Sequence, residues 1–436
     1  MFKTFFNAFK IKEVRKRLLF DLLILVIIRI GSQIPIPGVD PEQIKSLMDQ
    51  LLGGGDGGIL MAITGGSLER MSILALGITP YITSSIVMQL LTIAIPGLEE
   101  MQRDGEDGRK KIAAITRYLT IGLAILESGA MAIGYRQLLT EYNALNVICV
   151  IAAMTAGSAF LMWLGERVTE RGVGNGISIV LTINIISSFP QDAMNLYEKF
   201  VKGRTVASMV LNSAIIIVVV LGLSVLVILL NDAIRKIPVQ YAKKIQGNKM
   251  MGGNSTHIPV RVNTAGVIPV IFAASLLQFP IIVSNMAGYK GTGWWSEVLK
   301  YVNSQYWFNT SNWKYSVGII AYVALVIFFA YFYTSITFNP VEIANNLKKS
   351  GGFVPGIRPG KPTSEYLNSA LNYIIFIGAV GLTIVAIIPY IFNGLFGASV
   401  SFGGTSIIIV VSVVIETANQ VESLMLVRNY KGFLND

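Results

Sequence analysis

GITPYITSSIVMQLL at residues 77–91 and GVIPVIFAASLLQFP at residues 266–280 read as two copies of one phrase. Aligned without gaps, they match Gly77 to Gly266, Pro80 to Pro269, Ile82 to Ile271 and Gln89 to Gln278. Each copy sits in an apolar run long enough to cross a bilayer. Counting crossings from the first run, one copy travels inward and the other outward. Repeats of inverted topology build a path or a binding site at their interface. Four identities in fifteen apolar positions also lie within reach of chance, so the reading depends on the rest of the chain.

The composition supplies that context. Of 436 residues, 53% are hydrophobic and 14% charged, and the mean hydropathy is +0.60. Soluble domains carry about a quarter charged residues, so the expected class is an all-α membrane protein. Runs near the ~20 residues needed to span recur ten times, at about 18–34, 71–95, 114–135, 147–165, 175–190, 208–230, 263–285, 315–336, 367–391 and 403–424. No cleavable signal is expected, because the basic residues 1–17 lead into a full-length span.

Charge sets the orientation. With the N-terminus in the cytoplasm, the cytoplasmic segments hold 25 of the 35 Lys and Arg, nine lie outside and Arg29 lies within the first span. That bias has the sign the positive-inside rule requires, and it puts both termini in the cytoplasm. The chain then divides into a cytoplasmic segment 1–17, two five-span halves of opposite orientation at 18–190 and 208–424, and a cytoplasmic tail 425–436. The net charge of +10 suits anionic lipid headgroups as well as a docking partner.

Several segments carry a functional and a plain reading side by side. Phe2, Phe5, Phe6 and Phe9 at helical spacing among Lys and Arg fit an amphipathic interfacial helix, or a segment that only fixes topology. Residues 53–70, GGGDGGILMAITGGSLER, place a short apolar piece between glycine hinges. It is either an outer loop or a half-helix that dips into a water-filled cavity and plugs it. Trp294, Trp295, Trp307 and Trp313 read as an interfacial aromatic belt. Cys149 reads as a small apolar filler. Two long basic cytoplasmic loops, 231–262 and 337–366, exceed what a simple connection needs. In the first, Pro238-Val239-Gln240-Tyr241 suits a hairpin strand. In the second, Pro355, Pro359 and Pro362 forbid a continuous helix and stiffen the tip. Both loops suit docking, or merely carry topology-setting charge.

Enzyme chemistry finds little to stand on. His257 is the sole histidine, and no phosphate-binding glycine loop or nucleophile elbow occurs. No cofactor is expected, and energy must come from a partner or a gradient. A secondary transporter of a small solute is the competing class, because such transporters share inverted repeats and keep ionisable groups near the midplane. Of Asp21, Arg29, Glu127 and Glu416, only Glu127 reads as deep. The midplane positions are instead aliphatic: Ile78 and Ile82 one turn apart, Ile177 and Leu181 likewise, and Ile271 as the repeat partner of Ile82. Such a collar closes a pore by dewetting, although a lone membrane isoleucine is ordinarily packing. Thr79, Thr83, Ser84, Ser85 and Gln89 form a polar stripe beside them, with Asn263 and Gln278 bracketing the second copy. These groups either latch two separable spans or serve as static helix glue, each bond worth about 0.6–2 kcal/mol.

RIGSQIPIPGVD at 29–40, GITPYI at 77–82, FLMWLGERVTERGVGNGISI at 160–179, GNSTHIPVRVN at 253–263, AGVIPVIFAAS at 265–275, NPVEIANNLKKSGGFVPGIRPG at 339–360 and FGGTSIIIVVSVVIETANQV at 402–421 together resemble the SecY family, the channel-forming subunits of the bacterial protein translocon. The resemblance covers essentially the whole chain. It implies an hourglass pore closed by an aliphatic ring at Ile78, Ile82, Ile177, Leu181, Ile271 and Ile409, the last known through the resemblance alone. It implies a plug at about 59–70, beginning Ile59, Leu60, Met61, Ala62, Ile63 and Thr64. It implies a lateral gate between spans 2–3 and 7–8, involving Thr79, Thr83, Ser84, Gln89, Glu127, Asn263 and Gln278. Partner docking is implied at Arg235, Lys243, Lys244, Lys249, Arg358 and Lys361. The implied partners are small single-span SecE-like and SecG-like subunits, a SecA-like motor ATPase, the ribosome, signal peptides and unfolded polypeptides, in a bacterial plasma membrane. Two departures stand out. Asn248 and Lys249 replace an arginine pair common in the family, and Leu181 stands where isoleucine is common.

Overall fold

The computed structural model describes residues 9–39, 64–68, 70–134, 142–200, 202, 206–241, 244–246, 249–251, 255–286, 293–308, 313–396 and 404–432. Of the expected features, residues 1–8 of the amphipathic segment, the plug residues Ile59–Ile63, and Lys243 lie outside them.

The chain is mostly helical. Its first half contains α1 (Lys12–Gly31), α2 (Thr79–Ala94), α3 (Pro96–Arg103), α4 (Glu106–Gly134), α5 (Ala144–Arg171) and α6 (Gly176–Phe200). Its second half contains α7 (Val206–Asp232), α8 (Ile268–Met286), α9 (Trp294–Val302), α10 (Val317–Thr337), α11 (Pro340–Lys349), α12 (Lys361–Phe396) and α13 (Gly404–Gly432). Among the described residues, six helices are long and apolar enough to cross a membrane, and α2 with α3 makes a seventh candidate bent by 101°. The bend falls at Pro96, which cannot continue the preceding helix's hydrogen-bond ladder. Two further apolar helices, Gly176–Pro190 and Ile268–Ile281, are shorter.

The helices begin where the local chemistry permits. The run expected from residue 71 stays in turns until Thr79, because Gly77 adopts φ 58° and Pro80 occupies the first turn, where its missing N–H costs nothing. The run expected from 263 likewise starts at Ile268, after Gly266 at φ 64°, with Pro269 in its first turn. Span 5, expected to end at 190, continues to Phe200 with Pro190 inside the helix. Span 9 begins early, at Lys361.

The all-α expectation needs one amendment. Strands β1 (Ile234–Tyr241), β4 (Ser255–Arg261) and β5 (Gly352–Phe353) form a sheet in the order β4-β1-β5, beside a small hairpin of β2 (Lys244–Gln246) and β3 (Lys249–Met251). The hairpin expected around Pro238 is present, with Ile237 opposite Ile258 and Arg235 opposite Val260. In the second loop, α11 precedes the proline-rich tip; the Asn339 side chain caps it, accepting from the Val341 and Glu342 N–H groups at 3.1 and 3.3 Å.

Two expectations fail on burial. Trp307 is 2% exposed, packs its ring against Tyr322 and Tyr390, and donates its indole N–H to the Tyr301 carbonyl at 2.9 Å. It is core, whereas Trp294 and Trp313 are exposed as a belt would be. Cys149 is exposed on α5 and fills no gap in the interior.

Candidate constriction and cytoplasmic docking surface

Both copies of the repeated phrase adopt one local geometry. Gly77 and Gly266 both take left-handed φ, 58° and 64°, one residue before the residue that precedes each helix. L-residues with a Cβ seldom adopt that conformation. Pro80 and Pro269 then sit second in α2 and α8. A chance alignment of apolar letters would not reproduce a backbone reversal and a helix start at matched positions.

From these starts, the aliphatic candidates converge. Ile78, Leu181 and Ile409 are buried in one hydrophobic cluster, and Ile82, Ile177 and Ile271 pack partly buried against it. The cluster draws Ile24 and Ile28 from α1, Leu161 and Leu164 from α5, Val180 and Ile185 from α6, and Val413 from α13. Residues far apart in sequence and from both halves therefore meet in one place. Leu181, 4% exposed, is packed within the cluster.

The described part of the expected plug segment, residues 64–68 and 70, is docked in the first half. Thr64 and Ser67 are buried, and Leu68 joins a core cluster with Met71, Leu76 and Met154. Arg29 donates to Ser187 Oγ at 2.9 Å and reaches the Gly65 carbonyl at 3.5 Å, and Ser187 Oγ lies 3.3 Å from the same carbonyl. Sequence reading noted Arg29 only as an intramembrane charge. Nothing local marks Ser187 or Gly65 as its partners.

The polar stripe divides into different roles. Thr83 and Ser84 do not bridge to another helix: each hydroxyl donates to a carbonyl of its own helix, Thr79 and Pro80, at 3.1 and 2.7 Å. That back-bonding is the local alternative open to Ser and Thr in a helix. The Gln89 side-chain oxygen is buried without a hydrogen-bond partner. Glu127, on α4, and Gln278, on α8, are both partly buried. Asn263 does reach across elements, but within the second half: its Nδ2 donates to Asn231 Oδ1 at 2.7 Å, and Asn231 Nδ2 donates to Ser412 Oγ at 2.7 Å. Between the halves, Ile86 of α2 packs against the apolar cluster that holds Val270 and Phe272 of α8, and Asn212 of α7 donates to the Phe200 carbonyl of α6 at 3.0 Å.

Within the second half, the two basic loops form one body. β5 pairs with β1, placing Gln240 opposite Phe353 and Tyr241 opposite Gly352. The sheet packs Ile237, Val239 and Val260 onto Leu347 of α11 and Leu367 and Leu371 of α12. Arg235, Arg358 and Lys361 remain exposed, with Lys361 4.0 Å from Glu365. Lys244 and Lys249 occupy β2 and β3. Gly351, Gly356 and Gly360 all take positive φ around the tip that presents Arg358.

A mostly helical membrane protein, with an aliphatic cluster where two repeats meet and exposed basic residues on two joined loops, is the class these features define. The SecY family model matches residues 72–418. A protein translocase subunit SecY from Streptomyces galbus is 42% identical, with all of each chain covered. The chain belongs to the SecY family. Its fold resembles a solved protein-conducting channel with a TM-score of 0.65 at 19% identity, covering 96% of both chains. It also resembles Sec61 in the canine ribosome–channel complex from the endoplasmic reticulum, with a TM-score of 0.59 at 18% identity and 96% of both chains covered.

Proposed function

We propose that this chain is a protein-conducting channel, a conduit and not an enzyme, through which unfolded secretory polypeptides cross a bacterial plasma membrane. Ten spans run in two inverted halves with both termini cytoplasmic. Ile78, Ile82, Ile177, Leu181, Ile271 and Ile409 form the ring that keeps the membrane tight. Residues 59–70 plug it from outside. Hydrophobic segments leave sideways between α2–α4 and α8–α10.

The observation that carries this reading is the meeting of all six side chains in one cluster fed by both halves. An aliphatic collar excludes water and ions by dewetting, and it yields to a polypeptide of any sequence because it makes no specific bond. The name of the Streptomyces relative, a protein translocase subunit, supports the same function. The apolar contact of Ile86 with the α8 cluster suits a gate that must part without breaking strong bonds.

Partners follow from the surfaces. Arg235, Lys243, Lys244, Lys249, Arg358 and Lys361 receive a SecA-like motor ATPase or a ribosome; the canine Sec61 neighbour was solved in a ribosome complex. The exposed apolar helix faces accept small single-span SecE-like and SecG-like subunits. The test is ion conductance of the purified complex in planar bilayers. Ile82→Asn, Ile271→Asn and deletion of 59–70 are each expected to raise leak. Parental conductance in all three would overturn the reading.

A further inference from the structure

We propose that Asn263, Asn231 and Ser412 form a latch that makes the cytoplasmic hairpin and the ring-bearing helix α13 one moving body, leaving α8 free to pivot at Gly266. The inference rests on the channel reading above and assigns positioning residues to its gating.

The hairpin leaves α7 at Asp232 and returns at Arg261. Its two legs are joined at the base, where the Val262 N–H donates to the Ala233 carbonyl at 2.8 Å. One residue further on, Asn263 donates to Asn231, and Asn231 donates to Ser412, both at 2.7 Å. Asn231 thereby spends its acceptor on one neighbour and a donor on the other, and is the link in the chain. Asn263 is 7% exposed, so an unpaired amide there would be costly. A Cβ at Gly378 of α12 would overlap the Val262 carbonyl, which shows how closely that helix backs the junction.

Ser412 lies three residues, about one turn, beyond Ile409 on α13, and next to Val413, which is buried in the ring cluster. A displacement of the hairpin base therefore reaches Ile409 through two short hydrogen bonds and one turn of rigid helix. On the other side of Asn263 the connection is soft. Gly266 takes φ 64°, and among the described residues nothing lies within 4 Å of where its Cβ would be. Helix α8, carrying Ile271, starts two residues later. A firm joint to α13 and a loose joint to α8 allow a load on the hairpin to separate Ile409 from Ile271.

The test uses the purified complex in planar bilayers with empty ribosomes as the docking probe, and ribosome co-sedimentation as the binding control. Asn231→Leu and Ser412→Ala are expected to bind ribosomes with parental affinity yet lose about ten-fold of ribosome-stimulated conductance, within the span of typical coupling energies. Ser412→Thr, which keeps the hydroxyl, should restore it. The double variant should be no worse than Asn231→Leu alone, because both cut one chain. Parental stimulation in Ser412→Ala and Asn231→Leu would overturn the latch while leaving the channel intact. Parental conductance in Ile82→Asn, Ile271→Asn and the 59–70 deletion together would instead overturn the channel reading on which it stands.

Discussion

Ile78, at the start of α2, and Ile409, on α13, lie buried in the same hydrophobic cluster although they belong to opposite halves of the chain. Their relative exposures are 0% and 5%. Parts of the two halves thus meet through side chains that offer water nothing to bind. The polar groups nearby are turned to their own helices, as Thr83 and Ser84 are. That partition suits a seal that must open: at this cluster the halves share dispersion contacts, and the bond from Asn212 of α7 to the Phe200 carbonyl of α6 lies where the two halves join in sequence.

Buried and partly buried members of the ring should respond differently to substitution. Ile78→Ala removes a fully buried side chain and should cost about 2–5 kcal/mol of stability. Ile82→Val and Ile271→Val keep the surface aliphatic, and should leave both stability and ion leak near the parent. Ile82→Asn should leak without a comparable loss of stability. Thermal unfolding in detergent alongside bilayer conductance separates these outcomes. Equal leak in the valine and asparagine variants would rule out dewetting as the basis of the seal.

The repeated phrase, several of the long apolar helices and the aliphatic set Ile78, Ile82, Ile177, Leu181 and Ile271, which meets in one cluster, were legible because hydropathy and spacing are local properties. So was the β1 strand, since Pro238-Val239-Gln240-Tyr241 cannot extend a helix. Other features depend on distant partners. The pairing of β5 with β1 joins two loops separated by α8 to α10, and two residues of strand leave no periodic signal. Whether a serine hydroxyl turns to its own helix or to a neighbour is settled by packing alone, so Ser84 read as a possible latch while Asn231 and Ser412 went unnoticed. Trp307 looked interfacial because tryptophan at a loop is usually so; its burial follows from Tyr322 and Tyr390 closing around it.

That contrast among tryptophans is measurable. Trp307→Ala deletes a core aromatic, along with its bond to Tyr301, and should cost about 3–5 kcal/mol. Trp294→Ala, at a residue 76% exposed, should change stability by less than about 0.5 kcal/mol. Denaturation midpoints in the same lipid or detergent decide the matter, and comparable losses at both sites would contradict the burial argument.

The paired glycines carry a conformational cost that no contact list records. Gly266→Ala meets no atom of the described residues within 4 Å, so its penalty is the left-handed backbone, about 1–2 kcal/mol. Gly77→Ala adds only ordinary contact with Thr64 at 3.7 Å, and should cost a similar amount. Each variant should fold and slow translocation of a reporter precursor, because the lead into α2 or α8 is strained. Parental translocation and stability in both would show that neither left-handed turn is required.

Docking through a shared sheet has a consequence for the two loops. If a partner reads both tips as one surface, damage to the joint between them should weaken a contact that lies elsewhere. The joint is Tyr241 against Gly352, where an added Cβ would approach the Tyr241 ring to 2.9 Å. Gly352→Val should therefore separate β5 from β1 and shift the tip that carries Arg358, without touching any charged side chain. Arg358→Glu reverses an exposed charge and should abolish productive coupling to ribosome or motor while the fold persists. Measured by ribosome co-sedimentation across a salt series, Arg358→Glu should flatten the salt dependence, since an exposed ion contact is screened. Gly352→Val should lower affinity while keeping the parental slope, because every basic residue is still present. Full affinity in Gly352→Val would mean that the two loops dock independently and that the β1–β5 pairing serves only the fold.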